Sequence, residues 1–146
     1  MSLTSPIFTT PDSITKFRGD TSRLKNIVAI AERVTPEFYK KEQERIFKRA
    51  WLPVAVASDV AQSGSFVTAD VPPLKASLLI VRGEDDRIGA FHNICRHRGD
   101  KLVHSASGCQ KAFTCGFHAW TYCTEGKLIG ITDETQFPGI EREKFG

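Results

Sequence analysis

Two short clusters of metal-binding side chains are the most informative chemical feature of this 146-residue sequence. One is Cys95-Arg96-His97, and the other, after seventeen intervening residues, is Cys115-Gly116-Phe117-His118. Thiolates and imidazoles are ligands that many transition metals prefer in proteins. Each cluster supplies one of each, so the sequence predicts a metal centre held by two cysteines and two histidines.

This ligand set has a specific meaning in iron–sulfur chemistry. Ordinary [2Fe-2S] clusters use cysteine thiolates throughout, whereas two histidines in place of two thiolates on one iron define the Rieske centre, which has a higher reduction potential. Neutral imidazoles leave the oxidised cluster without net charge, so it accepts an electron more readily. Because each ligating ring keeps one N–H, we expect reduction and protonation to be linked. We predict one-electron transfer by a [2Fe-2S] cluster on Cys95, His97, Cys115 and His118.

A structural zinc site is the alternative, because two cysteines and two histidines can also hold zinc in a tetrahedral arrangement. Such sites usually pair cysteine with cysteine and histidine with histidine at short spacings. Here each loop contains a mixed pair, with a single residue between Cys95 and His97. The spacing favours the iron–sulfur cluster over zinc.

Three glycines lie beside or between the two clusters, at Gly99, Gly108 and Gly116. Glycine removes the side-chain obstruction where backbone must approach a cluster and donate N–H groups to its sulfurs. We expect these glycines to serve that approach, although glycines in ordinary turns would give the same pattern.

The flanks of the clusters resemble a known family. The segments FHNICRHRGDKLV, FTCGFHAWTY and EGKLIG, between Phe91 and Gly130, resemble the Rieske domain of the large (alpha) subunits of ring-hydroxylating oxygenases. Upstream, the segments PEFYKKEQERIFKRAW, ASDV, GSFVTADV and LLIVRG are similar to the lead-in helix and first strands of the same subunits. The resemblance covers about residues 35–146.

This resemblance implies roles for the four ligands. Cys95 and Cys115 would bind one iron and His97 and His118 the other, and the electron would leave through His118 toward a mononuclear iron in a neighbouring subunit. The resemblance also implies a reductase or ferredoxin as electron donor, and a trimeric assembly. It leaves the substrate open among aromatic hydrocarbons, aromatic acids and quaternary amines.

Two departures distinguish the chain from Rieske proteins of the respiratory type. Those proteins carry an extra disulfide-forming cysteine in each ligand loop, and these loops have none. They also place a serine and a tyrosine after the second histidine as hydrogen-bond donors to the cluster, where this chain has Trp120 and Tyr122. Loss of one donor predicts a midpoint potential of roughly −150 mV rather than +300 mV.

The oxygen-activating site of such an oxygenase cannot be built from this sequence. That site needs two histidines and a carboxylate on Fe(II), and no histidine follows His118. We expect an amino-terminal arm and lead-in over residues 1–34 and a Rieske domain over residues 35–146, without the catalytic domain. The alternative function is a free-standing Rieske-type ferredoxin that acts only as an electron carrier.

Composition sets limits on partners and location. The net charge is +3, without a dense basic run, which argues against nucleic acid as a partner. The sequence MSLTSPIFTT lacks the features of a secretory signal, and the apolar runs are too short to span a bilayer. We expect a cytoplasmic protein with Cys109 and Cys123 as free thiols.

The periodicity of the chain predicts a mainly β fold. A helix capped by Thr35, with Pro36 in its first turn, is expected to continue to Trp51 with an aromatic packing face. Strands are expected in the segments WLPVAVAS, SFVTADV, SLLIVRG, RIGAFHN, KAFTC and WTYCT, with turns at residues 83–86 and 125–126. These elements predict a Rieske-type antiparallel β-sandwich with the ligand loops at one tip and the histidine edges near solvent.

The remaining candidates have competing interpretations. We expect His92 to be a packed, hydrogen-bonded core residue, and His104 to be the reserve ligand. Three basic residues flank the first cluster, and they are either solvated charges or a docking site for an acidic donor. Trp120 could shield the cluster from water, form the wall of a subunit interface, or do both. The basic residues are Arg96, Arg98 and Lys101.

Overall fold

The computed structural model describes residues 33–146 of the chain. In this range the fold is mainly β, as predicted, with antiparallel strands in two sheets after a short helix. The helix α1 is Pro36–Glu42, and the strands are β1 Ser65–Val71, β2 Ala76–Arg82, β3 Ile88–His92, β4 Ser107–Cys109, β5 Ala112–Thr114, β6 Thr121–Cys123 and β7 Leu128–Gly130.

The larger sheet has the strand order β3-β2-β1-β4. β1 and β2 pair along their length, with Phe66 opposite Val81. The predicted turn at residues 83–86 joins β2 to β3, and it is closed by a 2.8 Å hydrogen bond from the Gly83 N–H to the Arg87 carbonyl. Burial alternates along β3, as expected for a half-buried strand. β2 instead buries three consecutive residues, Leu79, Ile80 and Val81.

The smaller sheet has the order β5-β6-β7. The predicted turn at Glu125-Gly126 joins β6 to β7, and a 2.9 Å bond runs from the Cys123 N–H to the Lys127 carbonyl across it. Gly126 has a φ of +83°, a conformation that suits glycine in a tight turn.

The two sheets pack against each other through one apolar cluster, which confirms the predicted sandwich. The rings of Phe66 on β1 and Phe113 on β5 meet edge to face, with centroids 5.4 Å apart. Both side chains are almost completely buried, so each contributes about 1.5 to 3 kcal/mol through removal of apolar surface from water. The buried members of this cluster are Phe66, Leu79, Val81, Val103 and Phe113.

The helical region is shorter than predicted and does not present a buried aromatic face. α1 gives way to a π-helical turn at Gln43–Phe47, and neither element contains a buried residue. Tyr39 is half exposed, and Trp51 is fully exposed beyond the last helical turn. A 2.6 Å hydrogen bond from Gln43 Nε2 to the Pro73 carbonyl attaches this region to the connection between β1 and β2. The prediction of an aromatic packing face on this helix was therefore wrong.

The segment WLPVAVAS is not a strand, contrary to the prediction. Residues 51–56 have no regular structure, and a short 3₁₀ helix, Ala57–Val60, follows. Pro53 lacks an N–H for a strand ladder, and the Asp59 carboxylate accepts a 3.1 Å hydrogen bond from the Val56 N–H, which favours a turn. No helix within residues 33–146 is long and apolar enough to cross a bilayer.

Candidate functional site: two ligand loops

The two predicted ligand clusters lie on loops at strand ends. Loop 1, residues 95–100, follows β3, and loop 2, residues 115–120, connects β5 directly to β6. Both loops are closed by the same two backbone hydrogen bonds. These run from Cys95 N to Asp100 O (2.7 Å) and Gly99 N to Cys95 O (2.9 Å) in loop 1, and from Cys115 N to Trp120 O (2.9 Å) and Ala119 N to Cys115 O (3.0 Å) in loop 2.

The structure arranges the four predicted ligands as two like pairs, cysteine with cysteine and histidine with histidine. Cys95 and Cys115 are 2% and 3% exposed and belong to one apolar cluster. The rings of His97 and His118 lie against each other at a centroid distance of 4.6 Å, and both are half buried. The cysteines are therefore inside and the histidines nearer the surface, which agrees with the expected orientation.

Each sulfur has a hydrogen-bonding neighbour of a different kind. The backbone N–H of Phe117 donates to Cys115 Sγ at 3.5 Å. Cys95 Sγ lies 3.6 Å from the hydroxyl of Tyr122, and that hydroxyl already accepts a 3.0 Å bond from the Arg96 N–H. A hydroxyl can accept one hydrogen bond and donate another at the same time, so Tyr122 can accept from Arg96 and donate its proton to Cys95 Sγ.

The surroundings of the loops shift the pKa of two of the ligands, Cys115 and His97. Burial raises the pKa of the Cys115 thiol, and contact with Cys95 raises it further, against the backbone N–H groups that stabilise the thiolate. Burial lowers the pKa of His97, and the nearby His118 and Arg98 act in the same direction. The lowered pKa favours the neutral form of His97, the form that binds metals, while the Cys115 thiol needs a cation to stabilise its charged form.

One buried atom fits a metal-bound group. His97 Nδ1 is buried and makes no hydrogen bond within the described residues. Such unpaired buried nitrogens are rare, and coordination to a metal would satisfy a ring nitrogen here. No three of the Cys, His, Asp and Glu side chains in residues 33–146 converge on one point as ligands of a single ion. A [2Fe-2S] cluster does not require such convergence, since each iron of a Rieske centre takes two protein ligands.

Aromatic side chains enclose His97. Trp120, which is 2% exposed, stacks on the His97 ring with centroids 4.8 Å apart and an interplanar angle of 7°. Phe137 meets the same ring edge to face at 5.6 Å. Trp120 thus shields this part of the site, as one of the two predicted roles requires. Phe137 was missed in the sequence because it lies in an irregular segment without strand or helix periodicity.

A buried asparagine anchors loop 1 and was also missed. Asn93 Nδ2 donates to the Val103 carbonyl at 2.7 Å, and Asn93 Oδ1 accepts from the Val103 N–H at 2.8 Å. This pair spans the loop and joins the residues that flank it. The signal in the sequence was a single polar residue between strand and ligand loop, which is equally common in ordinary turns.

The other histidines and cysteines that the sequence analysis considered do not lie among the four predicted ligands. His92 is exposed, so the prediction of a packed core residue was wrong. The burial of β3 alternates along an edge strand, which directs Phe91 to the core and His92 to solvent. His104 is exposed, Cys109 is exposed with its sulfur 3.6 Å from the Ser63 carbonyl, and Cys123 is half buried in β6.

The three glycines have different environments. Gly99 has a φ of +79°, which a residue with a side chain rarely adopts. Gly108 lies opposite Phe66, whose ring leaves only 2.8 Å for a Cβ, so this glycine serves core packing instead of the ligand loops. A Cβ at Gly116 would meet no atom of the described chain within 4 Å.

The basic residues in and beside loop 1 differ in their environments. Lys101 lies 3.5 Å from the Asp70 carboxylate, so its charge is partly compensated. Arg96 and Arg98 are exposed beside the ligands.

Curated proteins of related sequence match this chain over part of their own length. The chain is 37% identical over 109 residues to the alpha subunit of biphenyl 2,3-dioxygenase from Rhodococcus jostii (strain RHA1), covering 74% of this chain and 23% of that subunit. It is 35% identical over 92 residues to the carnitine monooxygenase oxygenase subunit of Acinetobacter baumannii, covering 63% and 24% respectively. The chain thus spans about a quarter of these relatives.

Solved structures show the same architecture. Naphthalene 1,2-dioxygenase with indole in its active site superposes with a TM-score of 0.72 at 30% identity, covering 79% of this chain and 26% of that one. A quaternary ammonium Rieske monooxygenase bound to an inhibitor superposes with a TM-score of 0.70 at 32% identity, covering 77% and 31%.

The family model for the Rieske [2Fe-2S] domain matches residues 50–141, which include both ligand loops. The match selects a [2Fe-2S] cluster over the zinc alternative, and it agrees with the buried thiols and the paired histidines. The chain belongs to the Rieske [2Fe-2S] domain family, in the form carried by alpha subunits of ring-hydroxylating oxygenases.

Proposed function

We propose that the chain is the electron-relay domain of a ring-hydroxylating oxygenase large subunit. In this proposal Cys95 and Cys115 bind one iron of the cluster, and His97 and His118 bind the other. The observation that carries it is the like-with-like arrangement of the ligands. The two buried thiols interact with each other, and the two imidazole rings lie 4.6 Å apart nearer the surface.

When bound, the [2Fe-2S] cluster supplies reversible one-electron chemistry. The chain's own residues would tune that chemistry and limit access to it. The Phe117 N–H and the Tyr122 hydroxyl stabilise negative charge on the two ligand sulfurs. Trp120 covers the inner side of His97 and excludes water there. The proposed cluster site therefore has hydrogen-bond donors for its sulfurs and an aromatic cover that limits water.

The route of the electron is part of the proposal. A reductase or ferredoxin would reduce the cluster, and His118 would pass the electron to a mononuclear iron in a neighbouring subunit of a trimer. His118 is half buried beside Phe117, which is 60% exposed, so this edge of the site is accessible to another protein surface. One solved quaternary ammonium Rieske monooxygenase is described in terms of inter-subunit electron transfer, which supports the same route here.

We further propose the domain division from the sequence, with a lead-in over residues 1–34 and the Rieske domain over residues 35–146. The relatives named above are oxygenase subunits, which favours this function over a free-standing ferredoxin. Hydroxylation, its substrate and a cytoplasmic location remain predictions for the larger protein.

Anaerobic reconstitution with iron and sulfide tests the ligand assignment. The wild-type chain should take up two irons and, after dithionite reduction, give the rhombic EPR signal of a Rieske cluster. Cys95→Ser and His118→Ala should lose that signal. Cys109→Ser and His104→Ala are the matched controls, and both should retain it. A variant of a predicted ligand that keeps the wild-type spectrum and iron content would contradict the assignment.

A further inference from the structure

The segment that follows β7 forms one side of the ligand site. Its turns at Glu134–Gln136 and Arg142–Phe145 place a row of apolar side chains against the cluster of Cys95, Cys115, Trp120, Tyr122 and Leu128. The packed residues are Ile131, Phe137, Ile140 and Phe145. Among them, the contact of Phe137 differs in kind, because its ring reaches one of the proposed ligands.

Phe137 and Trp120 enclose the imidazole of His97 together. Trp120 lies parallel to the imidazole at 4.8 Å, and Phe137 meets it at 84° with centroids 5.6 Å apart. The Phe137 and Trp120 rings also contact each other, at 5.5 Å and 78°. The three rings therefore form a closed set of contacts, and rotation of the imidazole would break at least two of them.

The backbone around Phe137 is held to the domain. The Phe137 N–H donates to the Glu134 carbonyl at 2.9 Å. Arg142 forms a 2.6 Å ion pair with Glu134 and donates a 3.0 Å hydrogen bond to the Ile129 carbonyl on β7. The ring of Phe137 is thus positioned by bonds that begin in the smaller sheet.

We propose that Phe137 is a positioning residue that fixes the orientation of the His97 imidazole against Trp120. Phe137 acts through His97 and touches no cofactor in this proposal. This proposal rests on the proposed function, because the orientation of the His97 ring affects the cluster only if His97 is one of its ligands.

Phe145 provides a matched control for this role. Its ring meets Trp120 at 5.6 Å and 82°, nearly the geometry of Phe137 on Trp120. The ring contacts of His97, however, are made by His118, Trp120 and Phe137 among the described residues. Removing Phe145 should loosen Trp120 without releasing the imidazole directly.

The first test is NMR of the cluster-free chain with labelled histidine, which has four histidine signals in total. Stacking on Trp120 should shift the His97 ring protons upfield, and His97→Gln assigns that signal. Phe137→Leu should remove most of this shift, whereas Phe145→Leu and the ring-preserving Phe137→Tyr should retain it. Should Phe137→Leu not fold, Phe137→Met removes the ring in the same way.

The second test is the nitrogen hyperfine coupling of the histidine ligands in the reduced, reconstituted chain. Phe137→Leu should change the coupling of one histidine at full iron content, and Phe145→Leu should leave both couplings unchanged. Equal effects of the two variants, or no effect of Phe137→Leu in either test, would overturn the positioning role. A wild-type chain that binds no cluster would instead overturn the proposed function, while the NMR test would still decide the role of Phe137.

Discussion

Loop 1 and loop 2 fold into the same turn but place their histidines differently. Both have a cysteine first and a residue of positive φ fourth after it, with φ of +79° at Gly99 and +53° at Ala119. The histidine comes second after the cysteine in loop 1 and third in loop 2. Two copies of one turn thus bring both imidazoles together from different positions, which explains why the sequence spacings differ by one residue.

The two loops also differ in what supports them. Loop 2 continues directly from β5 into β6, so the strand ladder holds both of its ends. Loop 1 leaves β3 and enters an irregular segment before β4, and its supports are side chains. Asn93 ties its flanks together, and Tyr122 holds its backbone at Arg96. The comparison teaches that loop 1 depends on a few polar contacts, whereas loop 2 depends on the sheet.

The largest effect is expected where loop 1 loses its anchor. Asn93→Ala would leave the N–H and carbonyl of Val103 without their partner in a buried position, which should cost about 2 to 4 kcal/mol of unfolding free energy. Urea unfolding of the cluster-free chain measures this loss. Reconstitution of the variant should also yield less cluster, because loop 1 would no longer be held in place.

The matched change at loop 2 is Thr114→Ala, which removes a 3.0 Å hydrogen bond between the exposed hydroxyls of Thr114 and Thr121. Because both hydroxyls can bond to water and the ladder remains, we expect a loss within about 0.5 kcal/mol. Equal losses in the two variants would refute the idea that the loops are supported differently.

The second prediction exchanges the residues of positive φ. Gly99→Ala should destabilise the chain by about 1 to 2 kcal/mol, because a side chain disfavours this conformation. The space itself is available, since the nearest atom to a Cβ there is Ile94 Cδ1 at 3.8 Å. Ala119→Gly should have the opposite sign or no effect, since relief of strain is offset by about 0.5 to 1 kcal/mol of chain entropy.

Thermal unfolding of both variants checks this pair. Destabilisation by Ala119→Gly as large as that by Gly99→Ala would mean that the Ala119 side chain, rather than backbone strain, decides the stability of loop 2.

The sequence predicted the two loops better than it predicted their supports. Turn residues and strand alternation are local signals, and they located the hairpins and the ligand loops. Asn93 and Phe137 act across the fold, through partners ten or more residues away, and no local pattern marks them. The missed strand β4 contains Ser107, Gly108 and Cys109, and it is a strand because β1 offers a pairing edge.

The wrong predictions have the same origin. His92 was assigned to the core because its neighbours are strand formers, but the phase of the alternation on an edge strand is set by Phe91, which packs against the core cluster. The predicted continuation of the helix to Trp51 rests on the spacing of side chains along one face. Tertiary contacts decide whether such a face is buried, and here Tyr39 and Trp51 face solvent.

The third prediction concerns the sulfur contacts of the two loops. Tyr122→Phe should lower the midpoint potential of the reconstituted cluster by about 40 mV, because one hydrogen bond of about 1 kcal/mol to the reduced form is lost. Loop 2 has no equivalent change, since the donor to Cys115 is the backbone N–H of Phe117. A redox titration monitored by EPR measures the shift. An unchanged midpoint at full iron content would exclude Tyr122 as a donor to the cluster, and the value near −150 mV stays a separate prediction.

The smallest effect is expected from a link that belongs to neither loop. Glu125, in the β6–β7 turn, accepts hydrogen bonds from the Thr124 hydroxyl at 2.7 Å and from the Glu84 N–H at 3.0 Å, and so joins turns of the two sheets. Its hydrogen bonds with the Thr124 hydroxyl, then Cys123, then the Glu84 N–H lower its pKa from 4.5 to about 2.

A carboxyl with a lowered pKa in the folded state stabilises the fold above its unfolded pKa, and this contribution is lost as the pH falls through the folded pKa. The contribution of Glu125 should therefore disappear between pH 4.5 and about 2. Because the side chain is exposed, solvent screening should limit it to about 1 kcal/mol or less. Glu125→Gln should show this deficit at pH 7 and approach the wild type at pH 2, as measured by thermal unfolding across that range. If Glu125→Gln lost the same stability at both pH values, the lost interaction would be steric rather than ionic. The contact between the two turns would then depend on packing and not on the charge of Glu125.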